Sequence, residues 1–274
     1  MIVVISYVKY CSDDCRENHK AEHKEECNKR AAELRDELLF KQPESSYLGD
    51  CPICMIPLSL DKTKSTMHTC CSKTICKGCC YANEREQEAR GEKKCPFCRK
   101  RTPKTYKEAM KLRMKRAKAN DPAALCQEGI ENYRKGYYSR AFEYFKKAAE
   151  LGDVEAHWKL ALLYHDGQGV EKDEGKEIHH YEEAAIGGHQ EARFNLGVHE
   201  NCNGNIERAV KHWIIAATLG DDRSIKALME VFRQGVVAKD DLDSALRAQK
   251  FAIDGTKSRQ RVEAEEFYRK NNLC

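Results

Sequence analysis

The stretch that decides the fold is LALLYHDGQGVEKDEGKEIHHYEEAAIGG, residues 160 to 188. Apolar residues recur at three- and four-residue steps as far as Tyr164, and a Gly-Gln-Gly-Val turn at 167 to 170 interrupts them. The periodicity then resumes through Tyr181, Ala184 and Ala185 to the Gly187-Gly188 pair. Two amphipathic helices joined by a turn give this pattern. The second half recurs outward along the chain, as FKKAAELG at 145 to 152 and WIIAATLG at 213 to 220, with an aromatic, an Ala-Ala pair and a closing Gly each time. The aromatics Phe145, Tyr181 and Trp213 lie 36 and 32 residues apart. A fourth, weaker copy, QKFAIDG at 249 to 255, has Gln249 at the aromatic position. In the segment that begins near Ser139, a predicted N-cap, Ala141, Phe142, Phe145, Ala148 and Ala149 share one face, and Gly152 suits a left-handed helix end. One hairpin cannot bury its own apolar face, so a period in the thirties predicts stacked helical hairpins over residues 121–255.

These residues resemble the Sel-one-like repeats, relatives of the tetratricopeptide repeats. The best copy reads Leu160, Tyr164, Gly167, Gly169, Val170, Asp173, Lys176, Tyr181, Ala184, Ala185 and Gly188. The third copy is four residues short and lacks the Gly-x-Gly-Val turn, as does the first. The resemblance implies about four hairpins whose concave face selects a protein partner. Residues 256–274, with KSRQRVEAEEFYRKNN, read as a polar capping helix of the kind that ends a solenoid. Residues 102–120 read as a basic connector helix, with Tyr106, Met110, Met114 and Ala117 on its apolar face. The run from Arg99 to Lys118 has ten basic residues and one acid, Glu108, but no interleaved stacking aromatics, so nucleic acid is not the expected partner. His179-His180 and His165 read as surface residues.

Composition bounds the rest. Of 15 cysteines in 274 residues, twelve precede residue 99. No basic n-region or cleavage site marks a secretory signal, and no apolar run approaches the ~18 residues of a membrane span. A cytoplasmic or nuclear location is expected, where clustered thiols bind metal rather than pair as disulfides. The net charge of +4, from 48 basic and 44 acidic side chains, is too even to imply a nucleic-acid partner.

Residues 50–101 carry the strongest chemical signal: Cys51-x2-Cys54, Cys70-Cys71, Cys76-x2-Cys79 and Cys95-x2-Cys98. Two residues between thiols let a tight turn aim both sulfurs at one zinc ion at ~2.3 Å, and two such halves close a tetrahedral site. So short a segment needs such a staple to fold. The order and spacing resemble a RING finger. The resemblance implies a small zinc-stapled domain in which Cys51, Cys54, Cys76 and Cys79 hold one zinc ion and Cys70, Cys71, Cys95 and Cys98 the other. Lys73 stands where the family usually has a histidine ligand. The second site therefore uses the Cys70-Cys71 pair, or one of the two with His68. Cys80 falls outside the pattern. The resemblance further implies a ubiquitin ligase without a covalent intermediate, which positions a ubiquitin-charged conjugating enzyme for attack by a substrate lysine. Ile53 and Pro96 match the residues that contact the conjugating enzyme, and Arg99 matches the cation that bridges it to ubiquitin. The bulky aromatic of active members is missing near Asn83.

Cys11-x3-Cys15-x7-His23-x3-Cys27, within residues 1–28, resembles the second half of a MYND zinc finger, and 29–49 reads as a linker. Three readings stand: Met1 is an internal start with two knuckles upstream, which the register of the match favours; the four residues gather a third zinc ion; or the segment is a charged helix. The alternative to a ligase is a noncatalytic scaffold of zinc fingers and repeats. A MYND-bearing methyltransferase is disfavoured, because nothing after residue 101 is strand-rich.

Overall fold

The computed structural model describes residues 24–88 and 93–271. The chain divides between Gln42 and Pro43 into two compact units. In the first, helix α1 spans Lys24–Leu39. The expected linker over 29–49 is therefore helical as far as Leu39, because KEECNKRAAELRDELL consists almost wholly of strong helix formers.

The second unit opens with the cysteine-rich domain. A 3₁₀ turn (Lys62–Lys64) leads into β1 (Ser65–His68), which pairs antiparallel with β2 (Lys73–Cys76), Ser65 facing Cys76 and His68 facing Lys73. Helix α2 (Lys77–Glu88) follows directly. The small core consists of Leu58, Ile75 and buried cysteines, with Leu48 packed against it.

All the regular structure described after residue 105 is helical. Helix α3 (Tyr106–Lys118) leads into the hairpins α4 (Pro122–Arg134) with α5 (Tyr138–Glu150), α6 (Val154–Asp166) with α7 (Glu174–Ile186), and α8 (Gln190–Cys202) with α9 (Ile206–Thr218). A fourth pair is α10 (Asp222–Arg233) with α11 (Lys239–Gly255), and the last helix is α12 (Arg259–Lys270). No helix among the described residues is long and apolar enough to cross a membrane.

The repeated signature has a packing reason. Phe145, Tyr181 and Trp213 are buried, and the smallest residues of the preceding helices receive two of them. A Cβ at Gly129 would lie 2.5 Å from the Phe145 ring, and one at Gly197 would collide with the Trp213 indole. The inter-repeat glycines Gly152, Gly188 and Gly220 have φ of +85°, +84° and +98°, the left-handed region open to glycine. Each precedes an N-cap: Asp153, His189 and Asp221 accept hydrogen bonds from the backbone N–H of Ala156, Ala192 and Ser224.

Three expectations need correction. Ser139 lies inside α5, whose first turn follows Tyr137 with no side-chain cap. His180 is not a surface residue: its Nδ1 lies 3.0 Å from His157 Nδ1 and its ring stacks on Tyr164. Burial, with His157 and His179 adding to it, lowers its pKa to about 3. The helix expected to cap the solenoid packs instead against α2 of the cysteine-rich domain.

Candidate metal centre

The turns of the two flanking knuckles repeat one geometry. The Cys51 carbonyl accepts from the backbone N–H of Met55 (2.9 Å), and the Cys95 carbonyl from that of Arg99 (3.0 Å). In return, the Cys51 N–H donates to the Ile56 carbonyl (3.0 Å) and that of Cys95 to the Lys100 carbonyl (2.7 Å). Met55 and Arg99 both take left-handed backbone, φ +55° and +60°, as does Ser72 behind Cys71, φ +55°. Such conformations cost non-glycine residues about 1 kcal/mol each and persist where surrounding structure enforces them. Here all three sit immediately behind a cysteine.

Eight thiols converge into two groups, Cys51, Cys54, Cys76 and Cys79 in one, and Cys70, Cys71, Cys95 and Cys98 in the other. Within each group the sulfurs lie within 4.8 Å of one another. Pairs taken from different knuckles approach to 3.8 Å (Cys54–Cys76), 3.9 Å (Cys71–Cys95) and 3.4 Å (Cys70–Cys98). A tetrahedron with ~2.3 Å zinc–sulfur bonds has edges of ~3.8 Å, whereas a disulfide brings sulfurs to ~2.05 Å. The described cysteines are free thiols. Four soft thiolates in tetrahedral spacing suit zinc.

The electrostatics follow from burial and from the knuckle amides. Burial pushes the Cys70 and Cys79 thiols well above their ordinary range. Burial opposes ionisation of Cys51 as well, but backbone N–H groups of Cys54, Cys76 and Ile53 outweigh it and lower its pKa to about 7. Cys98 is likewise lowered, its burial offset first by the Lys100 amide. Four mutually repelling thiolates become compatible with a buried site once a dication neutralises them.

His68 is not in either group; its Nε2 faces Cys80 Sγ at 3.5 Å. Cys80 is buried at the start of α2, and desolvation raises its pKa to about 12. Ile53 is 41% exposed, Arg99 is exposed and Pro96 half-buried. The Arg99 guanidinium donates to Asn83 Oδ1 (3.4 Å). Asn83 and Gln87 both donate to the Lys94 carbonyl, at 3.1 and 3.0 Å, tying α2 to the last knuckle. Cys11, Cys15, His23 and the side chain of Cys27 lie outside the described residues, and with them the expectation of a third zinc ion.

Sequence reasoning missed how this domain is held on the repeats. Tyr47 donates from its hydroxyl to Glu155 Oε2 (2.6 Å), stacks on His189 at 4.3 Å and donates from its backbone N–H to the Gly188 carbonyl. Lys62 donates to Glu155 Oε1 at 2.8 Å, and Lys159 Nζ lies 3.7 Å away. His189 is fully buried; its Nδ1 caps α8, which leaves the proton on Nε2, 3.5 Å from Glu155 Oε2. Although burial opposes it, these donors and cations hold the Glu155 carboxyl well below the usual carboxylate range. Arg116 donates to Ser72 Oγ (2.7 Å) beside its ion pair with Asp121, and Leu60 packs on Gly220. The turn before α4 and the three junctions between repeats thus receive the cysteine-rich domain and the segment leading to it.

Comparison with known proteins bears on the helical part. The family model described as Sel1 repeat matches residues 125–153, 154–189 and 190–221. An exopolysaccharide production negative regulator of Rhizobium leguminosarum bv. viciae is 30% identical over 108 residues, 39% of this chain and 40% of that protein. The DAP3-binding cell death enhancer 1 of mouse is 27% identical over 176 residues, 49% of this chain and 34% of that protein. The chain spans less than half the length of these curated relatives. Among solved structures, a Sel1 repeat protein from Oxalobacter formigenes superposes with a TM-score of 0.48 at 23% identity, covering 70% of this chain and 86% of that one.

Proposed function

We propose, residues 125–221 being three Sel1 repeats, that the chain is a protein-interaction scaffold whose cysteine-rich domain binds two zinc ions and recruits a ubiquitin-conjugating enzyme. The observation that carries this reading is the alternation of the cysteine pairs. First and third pairs form one group, and second and fourth the other, as in the cross-braced arrangement of a RING finger. Zinc, when bound, supplies the structural staple. Ile53 and Pro96 offer the docking surface, and Arg99 donates hydrogen bonds that hold the ubiquitin thioester open to a substrate lysine, so that catalysis is positioning. The free thiols support a reducing location, cytoplasm or nucleus.

Asn83 favours the second reading, a scaffold without ligase activity. It stands near the position of the family's bulky aromatic and is engaged by Lys94 and Arg99. Ubiquitination with purified chain and several classes of charged conjugating enzyme separates the two. Chain building that Ile53→Ala and Arg99→Ala each reduce at least tenfold supports the ligase. No chains with any enzyme, from protein holding two zinc ions, leaves the scaffold.

A further inference from the structure

The buried arginine of α12 sits against the first cysteine group. Arg261 is 7% exposed, although it belongs to a helix whose other charges face solvent. Its Nη1 donates to the carbonyls of Pro57 (2.6 Å) and Thr256 (2.7 Å), and its Nη2 to the Ile56 carbonyl (2.9 Å) and Cys54 Sγ (3.4 Å). Three carbonyls thus fix the planar fork so that one N–H reaches the sulfur. Gly78, between Cys76 and Cys79, makes room for it: a Cβ there would stand 3.0 Å from Arg261 Cγ and 3.1 Å from its Cα. Around this contact Phe267 packs on Tyr81 with ring centroids 4.8 Å apart, the Tyr268 hydroxyl donates to Glu84 (3.0 Å), and Lys64 pairs with Glu265 (3.1 Å).

We propose that Arg261 is a positioning residue of the first metal centre, its hydrogen bond to Cys54 and its charge stabilising the thiolate set, so that residues 259–270 belong functionally to the cysteine-rich domain. The argument rests on the zinc reading above. Four thiolates around one dication leave a net charge of about −2, and a buried anionic centre is costly without a compensating cation and donors. Arg261 supplies both from more than 200 residues away. Outer-shell partners of metal ligands of this kind are worth roughly 10- to 100-fold in metal affinity.

The test uses the full chain, its zinc content measured by atomic emission and its release followed with a chromogenic chelator. Wild type is expected to hold two ions. Arg261→Met, which keeps length and packing but removes charge and donors, should release one of the two about tenfold faster or more. In cobalt-substituted protein it should also shift the thiolate charge-transfer band of that site alone, a change that loss of packing does not produce. Arg261→Lys, with charge but no fork, should lie between the two. Gly78→Ala presses a methyl on the Cγ and backbone of Arg261, which must shift the base of its side chain while every thiol stays in the sequence, and should act in the same direction if Arg261→Met fails to fold. Wild-type release rates and an unchanged cobalt spectrum in a folded Arg261→Met or Gly78→Ala protein overturn the proposal while leaving the zinc reading intact. Absence of zinc from the wild-type chain overturns both.

Discussion

The cysteine-rich domain and the repeats that follow it solve the same problem by opposite means. Among its described residues the domain has only Leu58 and Ile75 as buried large apolar side chains, and its order comes from two sets of four sulfurs. The first three repeats each bury an aromatic, an alanine pair and a capped turn, so cohesion is spread over many modest contacts. A region held by a few strong ligands fails all at once, whereas an array held by nearest-neighbour packing weakens one interface at a time.

The largest effect that tests this contrast is metal removal. A chelator should withdraw roughly 10 kcal/mol or more of metal-linked folding energy from residues 43–101. Limited proteolysis should then cut that region first while most helical circular dichroism persists. Uniform loss of both signals would break the contrast. Next comes the joint between the regions. Glu155→Ala strips Tyr47, Lys62 and His189 of their shared acceptor and should cost about 3 kcal/mol in urea titrations. This is the low end for a buried pair, because Lys62 is 57% exposed and partly screened. A loss under 0.5 kcal/mol would mean that the two regions are barely coupled there.

Within the repeats, Gly197→Ala forces a methyl against Trp213 and should cost about 2 kcal/mol of stability by overpacking. Its effect should remain with the third hairpin and leave zinc content unchanged. At neutral pH the smallest change is expected of His180. It is a base whose folded pKa is depressed to about 3, so its contribution is fully present above the unfolded value of ~6.5 and is lost as pH falls. Between pH 6.5 and 5, wild type should lose roughly 1.6 kcal/mol more than His180→Asn. Parallel denaturation midpoints of the two proteins over that range would show that the His157–His180 pair titrates freely.

What was legible in the sequence follows from which residues do the burying. The hairpins were visible because aromatic, Ala-Ala and Gly recur at fixed offsets, and the cysteine groups because two-residue spacing is a ligand geometry. The joint and the last helix were not visible, because their buried residues are charged. Arg261 and Glu155 look like ordinary surface side chains in a pattern of apolar periodicity, and α12 buries only Arg261 and Ala264. No local rule identifies an ion pair whose partner lies 93 residues away, as Lys62 lies from Glu155. The small partners Gly129 and Gly197 carried a faint signal, a glycine in mid-helix where helix propensity disfavours it.

The 207-residue separation of Cys54 and Arg261 also has a consequence in time. At synthesis rates of ~5 to 20 residues per second, the ribosome reaches Arg261 roughly 10 to 40 seconds after Cys54. Throughout that interval the nascent cysteine-rich segment lacks its last helix, with its thiols already outnumbering its apolar anchors. Its final closure is therefore late and of high contact order, behind hairpins that fold locally as they emerge.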